Sequence, residues 1–502
     1  MKSEENQTFW MWDTSLLVYV GMATVVVHLL TGNRYGFNRD ELAVLEDARH
    51  LAWGYVAYPP MTPFFGRIAL ELFGTSLVGF RFFAAVVQAI AVVLTGLMAK
   101  ELGGGRWAQL IAAAAAVPFC LGGGSLMQYI SFDYLCWVLA AYFLVRLLRA
   151  KDAQWWLAVG AATGLGMLSK YTMLFFVAGI AGGLLLTPAR GYLRNGWLWL
   201  GEAVALAIFL PNFLWQARHH FVSLRFLQFI HTRDVREGLT TGFLPDQLEL
   251  TLLAFPLAVA GLYFYFFTQR GRAFRLIGWA YLITLLLFVI MKGRGYYLAP
   301  AYPMLYAAGA VWGEEWLGSL KKERARWVKA AAVTALVLDI GVGAAFALPL
   351  APVNSAWWRF AIRVDSALRE EIGWPEFVER VARIRDSLPT QERSRLGILA
   401  GNYGEVGALN LYGTNYGLPR AISGVNSSWE RGYGEPAPDS LIVVGFPKDF
   451  VDSHFASCRL VGHTGNNDGV QNEETLEHSD IFVCGPPIRG WPEFWKEFQY
   501  YA

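Results

Sequence analysis

A succession of apolar segments, each about as long as a lipid bilayer's hydrocarbon core is thick, constrains this chain more than any other feature. Crossing that core takes roughly 20 apolar residues at about 1.5 Å each. The backbone must pair within the segment, because the core offers no water to its polar groups. About eleven such segments precede residue 351: Leu16–Leu30, Leu77–Ala99, Trp107–Met127, Tyr134–Leu148, Trp155–Leu168, Thr172–Leu186, Leu198–Trp215, Leu248–Phe267, Leu276–Met291, Tyr297–Val311 and Ala330–Leu350. Only 16% of the 502 residues are charged, against about 25% in a soluble domain. A net charge of +2 and the lack of a basic tract with interleaved aromatics argue against nucleic-acid binding. The polar start, MKSEENQTFWMWDTS, has no small-residue cleavage pattern, so Leu16–Thr31 reads as a retained span.

Lys and Arg concentrate on the cytoplasmic side of membrane proteins. With the N-terminus inside, the inner loops receive Lys100 and Arg106, then Arg146, Arg149 and Lys151, then Arg190 and Arg194, then Arg270, Arg272 and Arg275. The last is KKERARWVK at Lys321–Lys329. One miscounted span would invert every later loop, so the agreement supports eleven.

From about Ala351 the composition turns polar. Short β-like runs, LGILAG (396–401), LIVVGF (441–446) and DIFVCG (480–485), alternate with helical stretches such as Trp374–Leu388. The expected architecture is a mainly α polytopic bundle over 1–350 and a small extracytoplasmic α/β domain over 351–502. Cys458 and Cys484 both fall in the second part, where they are equally readable as a disulfide or as two core thiols; Cys120 and Cys136 sit in spans. No CxxC pair is present, which argues against a zinc or redox motif.

Two outer loops are long, Gly32 to about Ser76 and Gln216–Gln247. Loops of that length are usually functional. In the first, Leu42, Leu45, Ala48, Leu51 and Ala52 recur near helical spacing. That pattern, with YPPMTPFFGRIALELFG after it, predicts two amphipathic helices on the outer membrane face within residues 33–76.

Asp40 and Glu41 follow the first span in GFNRDE. Helix neighbours point about 100° apart, so one carboxylate can face a cavity while the other turns away. Acids at a helix N-terminus are also what the helix dipole favours. Asp133, in QYISFDYL, stands at the outer mouth of the fourth span, where an ionisable group usually faces a polar cavity. Such acids would supply a general base or a metal site. Lys170, Lys292 and Arg294 lie at outer span ends, against the charge bias. One could be a snorkelling side chain, but three together point to an anionic ligand such as a lipid phosphate. The second long loop adds Arg218, His219, His220 and His231, the histidines being either surface residues or metal ligands.

The order DE, amphipathic helix, then the Tyr58-Pro59-Pro60 step resembles the GT-C glycosyltransferases, above all protein O-mannosyltransferases and lipid A aminoarabinose transferases. LSKYT, PNFLWQ (211–216) and KGRGYYLAPAYP (292–303) add to the likeness, which covers roughly residues 10–350. The resemblance implies an inner-membrane enzyme of a bacterial cell envelope. It would move a sugar from a polyprenyl phosphate to a lipid, glycan or protein acceptor outside the cytoplasm. It implies Asp40, Glu41 and Asp133 as catalytic acids; Tyr58, Lys170, Arg218, Lys292, Arg294, Tyr296 and Tyr297 are the candidate substrate contacts beside them. A divalent metal is the one cofactor it raises. Aminoarabinose transferases carry Glu-Lys before the proline pair, but Ala57 and Tyr58 stand here, which separates this chain from their metal and phosphate contacts. The chain has no P-loop or strand-borne GxGxxG, which suits a lipid-linked rather than a nucleotide donor. A transporter or flippase is the rival, with the mid-span Asp339 as its main support. Reporter fusions at Lys322 and Gly401 should report opposite sides of the membrane; matching sides would overturn the eleven-span topology.

Overall fold

The structure, a computed structural model, describes residues 15–502; the polar start lies outside them. Among the described residues, fifteen α-helices precede the polar region: α1 (Ser15–Thr31), α2 (Arg39–Arg49), α3 (Met61–Phe73), α4 (Leu77–Glu101), α5 (Arg106–Ser125), α6 (Tyr129–Ala150), α7 (Trp155–Met167), α8 (Met173–Leu186), α9 (Gly196–Arg218), α10 (Val222–Arg236), α11 (Phe243–Thr251), α12 (Phe255–Phe267), α13 (Arg275–Ile290), α14 (Tyr302–Ser319) and α15 (Lys322–Ala347). Each expected apolar segment falls on one or two of these helices. Among the described residues, seven stretches are long and apolar enough to cross a membrane, or up to eight if the bent α8 and the 3-10 turn after it count as one. Most of the others are shorter helices, and the 18-residue α14 is less apolar. The 13 residues of α7, for instance, rise only about 20 Å against a core of about 30 Å.

Small residues let these helices pack closely, as lipid gives no hydrophobic drive for their association. A β-carbon on Gly160 of α7 would lie 2.0 Å from the Gly201 carbonyl of α9, so glycine is required there. The basic loops gather at one end of the bundle. Arg149 reaches Glu101 at 2.8 Å and the Lys100 carbonyl at 3.4 Å, and Arg270 pairs with Glu315 of α14.

The second region adds α16 (Ala356–Val364), α17 (Trp374–Ser387), α18 (Thr390–Arg393), β1 (Leu396–Ala400), α19 (Tyr403–Tyr412), β2 (Ala421–Ile422), β3 (Ser440–Val444), α20 (Lys448–His454), β4 (Arg459–His463), α21 (Glu473–Glu477), β5 (Asp480–Cys484) and α22 (Trp491–Glu497). The five strands form one sheet in the order β2-β1-β3-β5-β4. β1 runs parallel to β2 and β3, whereas β5 is antiparallel to β3 and β4. Successive strand side chains point to opposite faces, and both faces are apolar. Ile398, Ile442, Val444 and Val483 meet α17 and α19, while Leu399, Val443, Phe482 and Cys484 meet α20 and α22. Cys458 and Cys484 form a disulfide, and Cys120 and Cys136 are buried free thiols.

One expectation changes. α2 does not rest on a lipid face. Its apolar positions Leu42, Val44 and Leu45 are buried in a cluster with Val406 and Leu409 of α19. A β-carbon on Gly407 would come within 2.5 Å of the Leu42 carbonyl, so the two helices touch backbone to backbone. The amphipathic pattern was real, but its apolar face meets protein instead of lipid, and Leu51 lies beyond the helix, half exposed.

Arg81, in the second turn of α4, ties the two regions together. It donates to Glu41 (2.6 and 2.9 Å), to Glu371 (3.0 Å), and to the carbonyls of Gly32 and Gly36 (3.1 and 3.0 Å). All three charged side chains are buried. Removing one partner of a buried ion pair leaves uncompensated charge and costs about 3–5 kcal/mol. Arg81→Ala should therefore lower the thermal midpoint strongly, while Arg81→Lys, with three rotatable donors in place of a planar fork, should recover only part. A wild-type midpoint in Arg81→Ala would contradict this role.

Candidate active site

A cavity of about 680 Å³ opens at the end of the bundle where α2 meets the second region. Its wall comes from α2, the Ala57–Pro59 step, Gln128 and Tyr129 at the start of α6, Lys170–Thr172, α10, and the Met291–Tyr297 turn. Asn402, Tyr403, Asn426–Ser428, Arg431 and Glu473 of the second region complete it.

A capping box fixes how the acid pair divides. The Asn38 side chain accepts the Asp40 N–H at 3.0 Å, and Glu41 accepts the Asn38 N–H at 3.0 Å. Glu41 is thereby turned inward, wholly buried, onto Arg81 and the Met127 N–H (2.9 Å). Asp40 points into the cavity. Gln128 Nε2 donates to its Oδ2 at 3.2 Å and the Tyr403 hydroxyl to its Oδ1 at 3.0 Å. Asp133 does not reach the cavity. It is buried behind the wall, accepting from Trp137 Nε1 (3.0 Å) and from Thr172 Oγ1 (3.2 Å).

Lys170, Lys292 and Arg294 line the same cavity as Asp40. Gln128 holds Asp40, and the next residue, Tyr129, lies under the Lys170 ammonium at 5.0 Å. The rings of Tyr296 and Tyr297 also face that ammonium, at 4.7 and 4.2 Å, making a three-tyrosine cage. Arg294 is held bidentately by Asp234 of α10, at 2.6 and 2.5 Å. Lys292 lines the same wall at a left-handed backbone position, φ +50°.

Tyr58 lines the cavity but donates to Asp47 at 2.6 Å, and Asp47 pairs with Arg431. Burial pushes the Asp47 carboxyl above its usual range, with Arg431 and the Tyr58 hydroxyl opposing the shift. Arg218, His219 and His220 do not line the cavity. Arg218 is exposed at the end of α9, and His219 stacks on Trp215 at 3.9 Å. His231 is on the wall. Among the described residues no three His, Cys, Asp or Glu side chains converge as a metal-ligand set. With Ala57 and Tyr58 before the proline pair, the side chains here do not fit the metal that the resemblance raised, and no step is derived through one.

Sequence reasoning missed Arg39, Asp47, Asp234, Tyr403 and Arg431. Asp234 had a signal, as an acid inside an otherwise basic loop, RDVR. Tyr403 and Arg431 had none, being more than 350 positions from the acids they hold.

The fold is that of the GT-C membrane proteins. ArnT from Cupriavidus metallidurans in the apo state superposes with a TM-score of 0.56 at 16% identity, covering 95% of this chain and 98% of that one. The arabinofuranosyltransferase AftD from Mycobacteria matches at a TM-score of 0.52 and 14% identity, over 94% of this chain and 41% of that one. In sequence, residues 57–215 match the family described as dolichyl-phosphate-mannose-protein mannosyltransferase. The lipid A galacturonosyltransferase RgtD of Rhizobium johnstonii is 28% identical over 230 residues, 44% of this chain and 46% of that protein. The match thus spans about half the length of this curated relative.

A hydrogen bond to a charged group contributes about 1.5–3 kcal/mol. Tyr403→Phe keeps the ring and removes one of the two donors to Asp40. It should slow turnover about tenfold or more at a near-native thermal midpoint; unchanged turnover would show that Tyr403 does not orient Asp40.

Proposed function

We propose that this integral membrane protein is a glycosyltransferase that moves a sugar from a polyprenyl-phosphate donor to an acceptor outside the cytoplasm. The observation that carries the reading is that Asp40 shares one cavity at a bundle end with Lys170, Lys292 and Arg294. An inverting displacement needs a base on one side of the anomeric carbon and a charge-stabilising group on the other. The acceptor oxygen attacks that carbon, its proton passes to Asp40, and the carbon–oxygen bond to the phosphate breaks with its electron pair leaving on the phosphate. Lys292 and Arg294 stabilise that developing charge, Arg294 exchanging Asp234 for phosphate. Lys170 and its tyrosine cage form the adjoining floor. Asp133, which the resemblance implies as a catalytic acid, instead braces the wall through Thr172.

The mannosyltransferase profile, the galacturonosyltransferase relative and the GT-C fold all support this class. A second ArnT structure from Cupriavidus metallidurans is bound to undecaprenyl phosphate, which supports the same kind of donor here. The reading includes eleven spans, a bacterial inner membrane, and residues 351–502 outside the cytoplasm. The basic loops at the opposite bundle end and the Cys458–Cys484 disulfide fit that orientation. The transporter rival loses its main residue, because Asp339 is buried against the backbone N–H groups of Leu253 and Ala254 at the break between α11 and α12.

Losing a general base typically costs about 10²–10⁴ in rate. Asp40→Asn should show that loss in transfer from a polyprenyl-phosphate sugar, with donor binding little changed. Lys292→Ala and Arg294→Ala should weaken donor binding as well. Near-normal transfer by well-folded Asp40→Asn would overturn the assignment.

A further inference from the structure

After the last long span the chain forms one more amphipathic helix, α16, and leaves its apolar strip bare. α16 stands beside the end of α15. The Trp357 indole N–H donates to the Ala345 carbonyl in the last turn of α15 at 3.3 Å, and the Trp357 and Phe360 rings lie 5.4 and 5.7 Å from Phe346. One face of the helix is used within the protein: Trp358 and Ala361 are buried with Tyr35, Leu368, Ile372 and Val470. Another face is not. Trp357, Phe360 and Val364 recur at i, i+3 and i+7, which places them on one strip, and they are 41%, 48% and 61% exposed. Arg359 and Arg363, at i and i+4, run along its side and are also exposed. Among the described residues neither has an acidic partner, and Arg359 donates to the Asn354 carbonyl.

The depth of α16 follows from α15. The basic start of α15 ends at Lys329, whose ammonium lies over the Trp107 ring at 5.4 Å. From Ala330 to Phe346 the helix rises about 25 Å, so a hydrocarbon core of about 30 Å that begins there ends about one turn beyond Phe346. α16 therefore lies where acyl chains give way to headgroups, the level at which tryptophan rings settle and at which a flat amphipathic helix buries its apolar face. We infer that α16 is an interfacial anchor that seats residues 351–502 on the bilayer, with Trp357, Phe360 and Val364 among the acyl chains and Arg359 and Arg363 on the phosphates of anionic phospholipid. The strip continues the outward face of α15, where Val337, Leu338 and Val342 are also exposed. The two arginines supply the charge that complements such headgroups. This seat adjoins the end of the bundle that carries Asp40. Just past α16, the Ala367 carbonyl accepts from Asn38 Nδ2 at 3.1 Å, and Glu371 accepts from Arg81 at 3.0 Å. One short stretch of chain thus joins the lipid-seated helix to the residue that caps α2. The inference rests on α15 being a membrane span and not on the transferase chemistry.

The test uses the full chain in lipid vesicles, spin-labelled at Val364→Cys, at Phe360→Cys, or at Lys448→Cys on the sheet face turned away from α19. Cys120 and Cys136 are buried and Cys458 is bonded to Cys484, so the introduced thiol is the one that reacts. Collision of each label with oxygen, which concentrates among acyl chains, is compared with collision with a water-soluble nickel chelate. The vesicles are phosphatidylcholine, with and without phosphatidylglycerol. The Val364 and Phe360 labels should favour oxygen several-fold more than the Lys448 label does, and further still when phosphatidylglycerol is present. Adding Arg359→Gln and Arg363→Gln to the Val364-labelled chain should abolish the effect of phosphatidylglycerol. Two labelled positions on one strip guard against a local distortion at either. Labels at both that meet the nickel chelate as freely as the Lys448 label would overturn the seat in lipid. So would labels that meet neither reagent, because a second copy of this chain or another protein would then cover the strip. An oxygen preference that is equal in both lipids and indifferent to the arginine substitutions would overturn the headgroup contact.

Discussion

The arrangement depends on one guanidinium. Arg81 leaves the second turn of α4 and collects Glu41, Glu371 and two carbonyls from the Gly32–Gly36 turn. It therefore fixes where α1 ends, how α2 begins, and where the chain re-enters after α15. The geometry suits arginine, whose five donors lie in one rigid plane. With Glu41 committed to Arg81, the neighbouring carboxylate must project elsewhere. That division, together with the Asn38 capping box, puts Asp40 in the cavity.

The cavity wall is shared between distant parts of the chain. Asp40 is held by Gln128 from the bundle and by Tyr403 from the sheet region. Asp47 is held by Tyr58 and Arg431, again one from each. A carboxylate fixed from two sides loses little orientational freedom when substrate arrives, which is the physical content of a preorganised site. The cationic side differs. Arg294 is already satisfied by Asp234, so an anion must displace that contact to engage it.

Much of this was legible in the sequence, for a physical reason. A bilayer core imposes long apolar runs and a charge bias on the loops, and both are local properties of the chain. Hence the helix at Leu77–Glu101 could be placed within about two residues at each end and that at Tyr129–Ala150 within about five, and Asp40, Lys170, Lys292 and Arg294 could be put at one end. The burial of α2 could not be read, because an amphipathic face looks the same whether lipid or another helix covers it. Leu42 and Leu45 are covered by α19, some 360 positions away. Tyr403, Arg431 and Glu473 act through contacts of similar reach. Asp133 was read as facing a cavity because a charged group in a span is costly; Trp137 and Thr172 satisfy it within the protein instead.

The most direct test of the central claim is a structure of the full chain with a polyprenyl phosphate bound. The phosphate should lie within hydrogen-bond distance of Lys292 and Arg294, with Arg294 released from Asp234, and with Asp40 on the opposite side of the space left for the sugar. A phosphate seated away from these cations, or one that leaves the Arg294–Asp234 pair intact with Asp40 facing neither sugar nor acceptor, would contradict the account.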